Sequence, residues 1–211
     1  MKILVLGASQ GTGALTVKEA LDRGHDVTAF ARTPDRLDVT HAKLTKRRGD
    51  FHDAADVDAA VEGHDAVIVT ASPTSIKALR RSPKFFSTGT RFVIDAMKKH
   101  GVKKLVILSA LGVGDSRPLC PFIVRLILVD FLLAEPFRDH GIQETMAKES
   151  GLDWVSARPG RLMDRPAQRK YVKTTALEPV PAEMARADVA HFLVEAAEKD
   201  TWNGHAVQIG G

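Results

Sequence analysis

Short runs of uninterrupted apolar residues recur along this chain, each ending at a small or polar residue. Ile3-Leu4-Val5-Leu6 runs into Gly7, Ala66-Val67-Ile68-Val69 into Thr70-Ala71-Ser72, and Leu105-Val106-Ile107-Leu108 into Ser109. Four apolar positions in a row, without alternation, mark strands buried on both faces, as in a parallel sheet. Residues 153–158, stopped by Pro159-Gly160, and residues 206–209 read as later strands, and residues 25–32 and 43–46 as early ones. Between the runs the period changes. Ala14, Val17, Ala20 and Leu21 share one helical face within residues 14–23, and Phe92, Val93, Ile94, Ala96 and Met97 fall on or beside one face of residues 88–100, which Gly101 stops. Asp53 is placed to cap a helix running through Val61, a long helical section runs up to Ser150-Gly151, and residues 188–199 carry a last helix. Strand and helix alternate throughout, which predicts a parallel sheet covered by helices on both faces. The helix-poor residues 161–181 are expected to form a small C-terminal substrate lobe on one domain spanning residues 1–211, since no repeat or composition break divides the chain.

The first strand–helix junction carries the most chemistry. Gly7-Ala8-Ser9-Gln10-Gly11-Thr12-Gly13 joins an apolar strand to an amphipathic helix. Strand, glycine turn and helix in this order let backbone N–H groups and a helix N-terminus cradle a pyrophosphate. Gly7 suits a tight turn, Gly11 the close approach of a phosphate and Gly13 close helix–strand contact. A P-loop is excluded, because no Lys-Ser/Thr pair follows the last glycine. The fold class is therefore α/β, a Rossmann-like doubly wound parallel sheet. In such a sheet ligands bind beyond the carboxyl ends of the strands. That rule gathers Gly7, Ser9, Gln10, Gly11, Thr12, Gly13, Arg32, Asp50, Phe51, Thr70, Ala71, Ser72, Ser109, Arg158, Pro159 and Gly160 into one expected cofactor site. The second strand ends in Phe30-Ala31-Arg32, where NAD-selecting proteins present an acidic residue. Arg32, with Arg36 following, offers guanidinium forks suited to a 2′-phosphate, so NADP(H) is the expected cofactor. Asp50 is placed to accept from the adenine amine.

Composition narrows the remaining classes. Of 211 residues, 44% are hydrophobic and 27% charged, ordinary for a globular domain with a substantial core. A net charge of +4 without long Lys/Arg tracts argues against a nucleic-acid partner and suits an anionic cofactor and a small-molecule substrate. The single cysteine, Cys120, permits no internal disulfide and suits a reducing compartment. Met1-Lys2 leads straight into the first strand, so no signal peptide is expected and the cytoplasm is the expected location. Residues 118–137 form the most apolar stretch, but Arg125, Asp130 and Glu135 interrupt it, which makes it a poor membrane span. A buried helix, a pocket wall or a subunit contact is expected there, in a monomer or homodimer that needs no membrane.

Val5-Leu6-Gly7-Ala8-Ser9, Gly11-Thr12-Gly13, Phe30-Ala31-Arg32, Asp35-Arg36-Leu37 and Gly49-Asp50 resemble the atypical short-chain dehydrogenase/reductase group that includes the flavin reductases. The resemblance continues through Gly89-Thr90-Arg91, Ser109-Ala110-Leu111-Gly112, Asp139-His140, Ser150-Gly151-Leu152-Asp153-Trp154 and Arg158-Pro159, and so spans essentially the whole chain. It implies an NAD(P)H-dependent oxidoreductase, in a group that also holds dehydratases, epimerase-like proteins and cofactor sensors. Relatives often read Gly-Ala-Thr-Gly-x-Thr-Gly. Here the middle glycine is displaced, giving the Gly-x-x-x-Gly-x-Gly spacing of the Tyr/Lys-dependent branch. That branch's Tyr-x-x-x-Lys pair is nevertheless absent, because the only tyrosine, Tyr171, is followed four residues later by Thr175.

Without a tyrosine acid, conjugated acceptors such as flavins, quinones or linear tetrapyrroles fit better than ketones, since they lean on positioning more than on a proton donor. Ser109 matches the serine beside the nicotinamide in the resembled reductases. Its hydroxyl either bonds the acceptor or carboxamide, or satisfies a strand-end turn. His140 matches the histidine of the Asp-His pair in flavin reductases, as a proton donor or phosphate contact, or else stacks on its helix. Asp139 is expected to cap or pair rather than react. Lys77, Arg80, Arg81 and Lys84, with Phe85-Phe86 adjoining, read as a solvated loop or a mobile lid. The remaining histidines show no ligand-like pairing, so no metal is expected.

Overall fold

In the computed structural model, which describes residues 1–120 and 122–211, the strands are β1 (Lys2–Leu6), β2 (Asp26–Ala31), β3 (Leu44–Arg48), β4 (Ala66–Val69), β5 (Lys104–Leu108), β6 (Asp153–Pro159), β7 (Arg161–Met163), β8 (Val172–Thr174), β9 (Glu183–Ala185) and β10 (His205–Gly210). The helices between them are α1 (Gly11–Asp22), α2 (Ala54–Val61), α3 (Ile76–Arg81), α4 (Phe85–His100), α5 (Phe122–Val124), α6 (Ala134–Glu149) and α7 (Arg186–Glu198). One sheet runs in the order β3-β2-β1-β4-β5-β6-β10-β8. Its pairs are parallel except β10 with β8, whose antiparallel pairing the apolar pattern did not predict. Three-residue β8 lacks the long apolar run that marks a central strand.

The period of two in β1 sorts the core into two layers. Ile3 and Val5 join Val17, Ala20 and Leu21 of α1 and Val189, Phe192 and Leu193 of α7 on one face. Leu4 and Leu6 join Val57 and Val61 of α2 and Val93 and Met97 of α4 on the other. The four apolar side chains of β1, Ile3 to Leu6, are fully buried, and each such burial contributes about 1.5–3 kcal/mol. The alternation is what makes the sheet doubly wound. Asp53 caps α2, accepting from the N–H groups of Ala55 and Asp56, and Gly101 ends α4 in the left-handed region at φ 71°.

Several boundaries and roles differ from the sequence expectation. The helix expected over residues 88–100 begins at Phe85, because Asp139 on α6 accepts from the backbone N–H groups of Phe86 and Ser87 and so caps it from outside. The basic segment, expected as a solvated loop or a mobile lid, contains α3, whose N-cap Ser75 accepts from Ala78 N–H; Lys77, Arg80, Arg81 and Lys84 are exposed on or just after it. The apolar stretch 118–137 is not a buried helix. Cys120 and Val129 are buried, but Phe122, Ile123, Leu126, Ile127 and Phe131 are exposed, along α5 and a π-helical turn at Arg125–Leu132; Pro121 lies outside the described residues. Of the elements in residues 161–181, β7 pairs with β9, just beyond that stretch, in a small second sheet, and β8 extends the main one.

Candidate functional site

β1 and β4 are neighbours, and the chain leaves β1 toward β2 but leaves β4 toward β5, in the opposite direction along the sheet, so a crevice opens beyond their carboxyl ends. Gly7 sits there at φ +90°, and a Cβ on it would stand 2.5 Å from the Ala71 backbone, so only glycine fits. A Cβ on Gly13 would run into the Gly7 carbonyl oxygen and Thr70 Oγ1, which fixes how closely α1 sits on β1 and β4. Gly11 has φ +57° and no neighbour of its Cβ position within 4 Å, because that side is open. Thr70 ties the two strand ends together, donating from N and Oγ1 to the Leu6 carbonyl at 2.8 and 2.9 Å. The result is a cleft of about 740 Å³.

Gly7, Ser9, Gln10, Gly11, Thr12, Gly13, Arg32, Arg36, Asp50, Phe51, Thr70, Ala71, Ser72, Ser109 and His140 all line it. Arg158, Pro159 and Gly160 do not. Arg158 points into the protein, where its guanidinium bonds Glu144 at 2.9 and 2.6 Å and also pairs with Asp115. Glu144 also accepts from Ser156 at 2.7 Å, so the cluster is internally satisfied and only the rim carboxylate, Asp115, reaches solvent. Pro159 ends β6 opposite Ile209, and Gly160 packs against the Ala182 backbone. Arg158 is thus a structural ion pair, and its strand-end position alone suggested otherwise.

The cleft is prepared for a polar, anionic guest. α1 opens on Gln10, which places no side chain over the first-turn N–H groups, and no acidic residue lies in that turn. Those amides and the positive end of the helix dipole face the cleft. Thr12 Oγ1 and Ser109 Oγ are buried with no hydrogen-bond partner among the described residues. Unpaired buried hydroxyls cost about 1–3 kcal/mol each, which a ligand bonding them would recover. Arg32 and Arg36 are exposed at one end and bond no carboxylate among the described residues. A dinucleotide fits these features, with phosphates at the glycine turn.

The opposite wall was less legible. Phe86 stacks on His140, ring centroids 3.6 Å apart and 23° from parallel. Burial pushes the His140 imidazole below its ordinary pKa, against smaller upward effects of the Gln143 bond and the Glu144 and Asp139 charges. Burial thus favours the neutral imidazole. The sequence offered the histidine as a proton donor, a phosphate contact or a stacking residue; it does stack, and in the neutral form one ring nitrogen donates and the other accepts. Leu162, Asp164 and Arg186 reach the cleft from the C-terminal lobe, Arg186 bonded to Asp164 at 2.7 Å. Phe51 packs near Phe85 and occupies the space that Gly89 leaves open. Gly89 on an otherwise good helical pattern was the available sign of that contact. Tyr171 lies away from the cleft, its hydroxyl 2.7 Å from His191 Nδ1, and burial pushes the phenol further up, out of the range of a useful acid.

Fold and cleft together define a dinucleotide-binding Rossmann protein. Residues 7–200 match the model of the NAD(P)H-binding family, and the chain belongs to that family. An anaerobilin reductase from Escherichia coli O157:H7 is 26% identical, with a TM-score of 0.81 over 100% of this chain and 97% of that one. A short-chain dehydrogenase/reductase from Veillonella parvula, solved in complex with NADP, shares the fold at 18% identity and a TM-score of 0.81, over 100% and 94% of the two chains. An uncharacterized chloroplastic protein of Arabidopsis thaliana is 27% identical over 94% of this chain, which spans 66% of that relative. These matches agree with the resemblance to the atypical short-chain dehydrogenase/reductases. No helix among the described residues is long and apolar enough to cross a membrane.

Proposed function

We propose that the protein is an NADPH-dependent reductase of a small conjugated acceptor, of the flavin, quinone or linear tetrapyrrole kind. The observation that carries this is the makeup of the cleft wall: an unpaired Ser109 hydroxyl and the flat Phe86–His140 stack, with the only tyrosine outside the cleft. The likeness to an anaerobilin reductase supports an extended acceptor.

In this reading the Gly7–Gly13 turn and the first-turn amides of α1 hold the pyrophosphate, with Thr12 Oγ1 donating to it. Arg32 and Arg36 take the 2′-phosphate, Asp50 and Phe51 border the adenine, and Thr70, Ala71 and Ser72 shape the floor. The bound nicotinamide supplies the hydride. Ser109 Oγ orients the carboxamide or the acceptor, and the Phe86–His140 stack bounds the acceptor's plane. Rate then comes mainly from positioning. A cytoplasmic, reducing setting suits the single, buried Cys120.

Steady-state NADPH oxidation with FMN, riboflavin, menadione and a linear tetrapyrrole tests the proposal. Turnover with at least one is expected, slowed about 10- to 100-fold by Ser109→Ala. No turnover above background, with NADPH binding confirmed by titration, overturns it. A second reading, a dehydratase or epimerase that regenerates its nucleotide, is favoured by one observation: neutral His140 is a candidate base. Product formation without net nucleotide oxidation would select that reading.

A further inference from the structure

The imidazole in the cleft wall is held by a buried relay. His140 Nδ1 lies 2.9 Å from Gln143 Oε1. Gln143 Nε2 in turn donates to Thr90 Oγ1 at 2.8 Å. Gln143 is 1% exposed and Thr90 0%, so neither can turn to water for another partner. Asp139, the neighbour of His140, holds the Phe86 N–H at 2.6 Å and so ties the stacking ring to the same turn of α6. In the structure the Gln143 NH2 donates to Thr90 Oγ1 and its oxygen faces the imidazole, and an amide oxygen only accepts. Nδ1 therefore carries the proton, and Nε2 of the neutral ring keeps a lone pair. Gln143 itself does not line the cleft, and it acts through His140.

We propose that Gln143 is a positioning residue: it fixes His140 as the Nδ1–H tautomer, so that the cleft selects flat acceptors bearing an N–H on their edge, such as an imide or lactam, over quinones. The selectivity half rests on the conjugated-acceptor reading above, whereas the tautomer half does not. An imide N–H completes a hydrogen bond to Nε2. A quinone carbonyl in the same place sets lone pair against lone pair and leaves both without water. A site built around one hydrogen bond rejects the analogue that lacks it, because its own polar group is left unpaired.

Two measurements on the intact protein saturated with NADP⁺ test this. With ¹⁵N-labelled histidine, long-range proton–nitrogen correlation spectra report which ring nitrogen is protonated. The expected result is Nδ1–H for His140 in wild type, with loss of that fixed state in Gln143→Met. Thr90→Val, which frees the amide to rotate while keeping its shape, is expected to loosen the tautomer too. Fluorescence titration then compares lumiflavin with 3-methyl-lumiflavin, which lacks the imide proton. Wild type should bind lumiflavin about tenfold more tightly, and the ratio should fall to near one in Gln143→Met and Thr90→Val. An Nε2–H tautomer in wild type, or equal affinity for the two flavins, overturns the proposal. Binding of neither flavin nor menadione overturns the conjugated-acceptor reading and the selectivity with it, and the spectra alone then decide the role of Gln143.

Discussion

Arg32 offers the sharpest test of cofactor choice, because its removal disturbs little else. It stands exposed just beyond β2 and bonds no carboxylate among the described residues. Arg32→Ala should therefore leave the melting temperature of the ligand-free protein within the scatter of ordinary surface changes. Its cost falls on the ligand side. A hydrogen bond to a charged group contributes about 1.5–3 kcal/mol, and solvent screening at an exposed site places this one at the lower end. At about 1.4 kcal/mol per factor of ten, NADPH affinity should drop about tenfold, while NADH, which lacks the 2′-phosphate, binds as before. Adding Arg36→Ala should remove most of what preference remains. Calorimetric titration of both nucleotides decides it, and raising the salt should weaken NADPH more than NADH. Equal affinities in wild type, or a parallel loss for both nucleotides in Arg32→Ala, would refute the reasoning.

Other parts of the site and its support make separate predictions. Gly11→Ala puts a methyl group where no protein atom lies within 4 Å, so the fold should survive with about 1 kcal/mol of left-handed strain. NADPH-induced thermal stabilisation should nevertheless be largely lost, and an undiminished shift would place the phosphates elsewhere. Arg158→Met leaves Glu144 as a buried, uncompensated charge, which should cost about 3–5 kcal/mol in urea unfolding while the folded protein binds NADPH normally; lost binding at full stability would return Arg158 to the cofactor site. Burial, as the leading cause, lowers the pKa of His64, His140 and His191. The unfolded chain therefore binds protons first as the pH drops below about 6.5, and native stability should fall over that range while staying level above it. A urea midpoint that is flat or rising on acidification would contradict this. The Glu19 carboxyl, held near pKa 2 by Arg169 and Arg23 despite its burial, adds a second loss only at much lower pH.

The central sheet and the glycine turn were legible because one local cause governs each. A strand buried on both faces favours an unbroken apolar run, so Ile3–Leu6 in β1, Ala66–Val69 in β4 and Leu105–Leu108 in β5 stand out without any knowledge of their neighbours. Gly7 and Gly13 are required by the approach of β4 and of α1, and no other residue can replace them there. The elements that escaped are those set by long-range partners. The early start of α4 depends on a carboxylate 53 residues away, and β8 exists because β10 offers it an edge. The direction of His140's proton depends on Gln143 and on Thr90, which lies 53 residues from Gln143. No spacing in the sequence announces such a relay.

Arg32 and Arg158 show why strand-end position alone cannot assign a role. Both are arginines at or beside the carboxyl end of a sheet strand, and both were read as cofactor contacts. The difference lies in what the neighbouring elements bring. After β2 the chain turns away through a short 3₁₀ segment, Pro34–Arg36, and nothing acidic among the described residues pairs with Arg32, so its charge stays open to the cleft. Beside β6, α6 places Glu144 against Arg158, and the two side chains are 9% and 5% exposed. A buried carboxylate so close claims the guanidinium before any ligand can, because leaving either charge alone in that environment costs more than a surface phosphate contact returns. The distinguishing residue, Glu144, precedes Arg158 by 14 positions and lies on a different element. It reads in the sequence as one acidic residue among 26. Only the packing of α6 on the sheet turns it into the partner that withdraws Arg158 from the site.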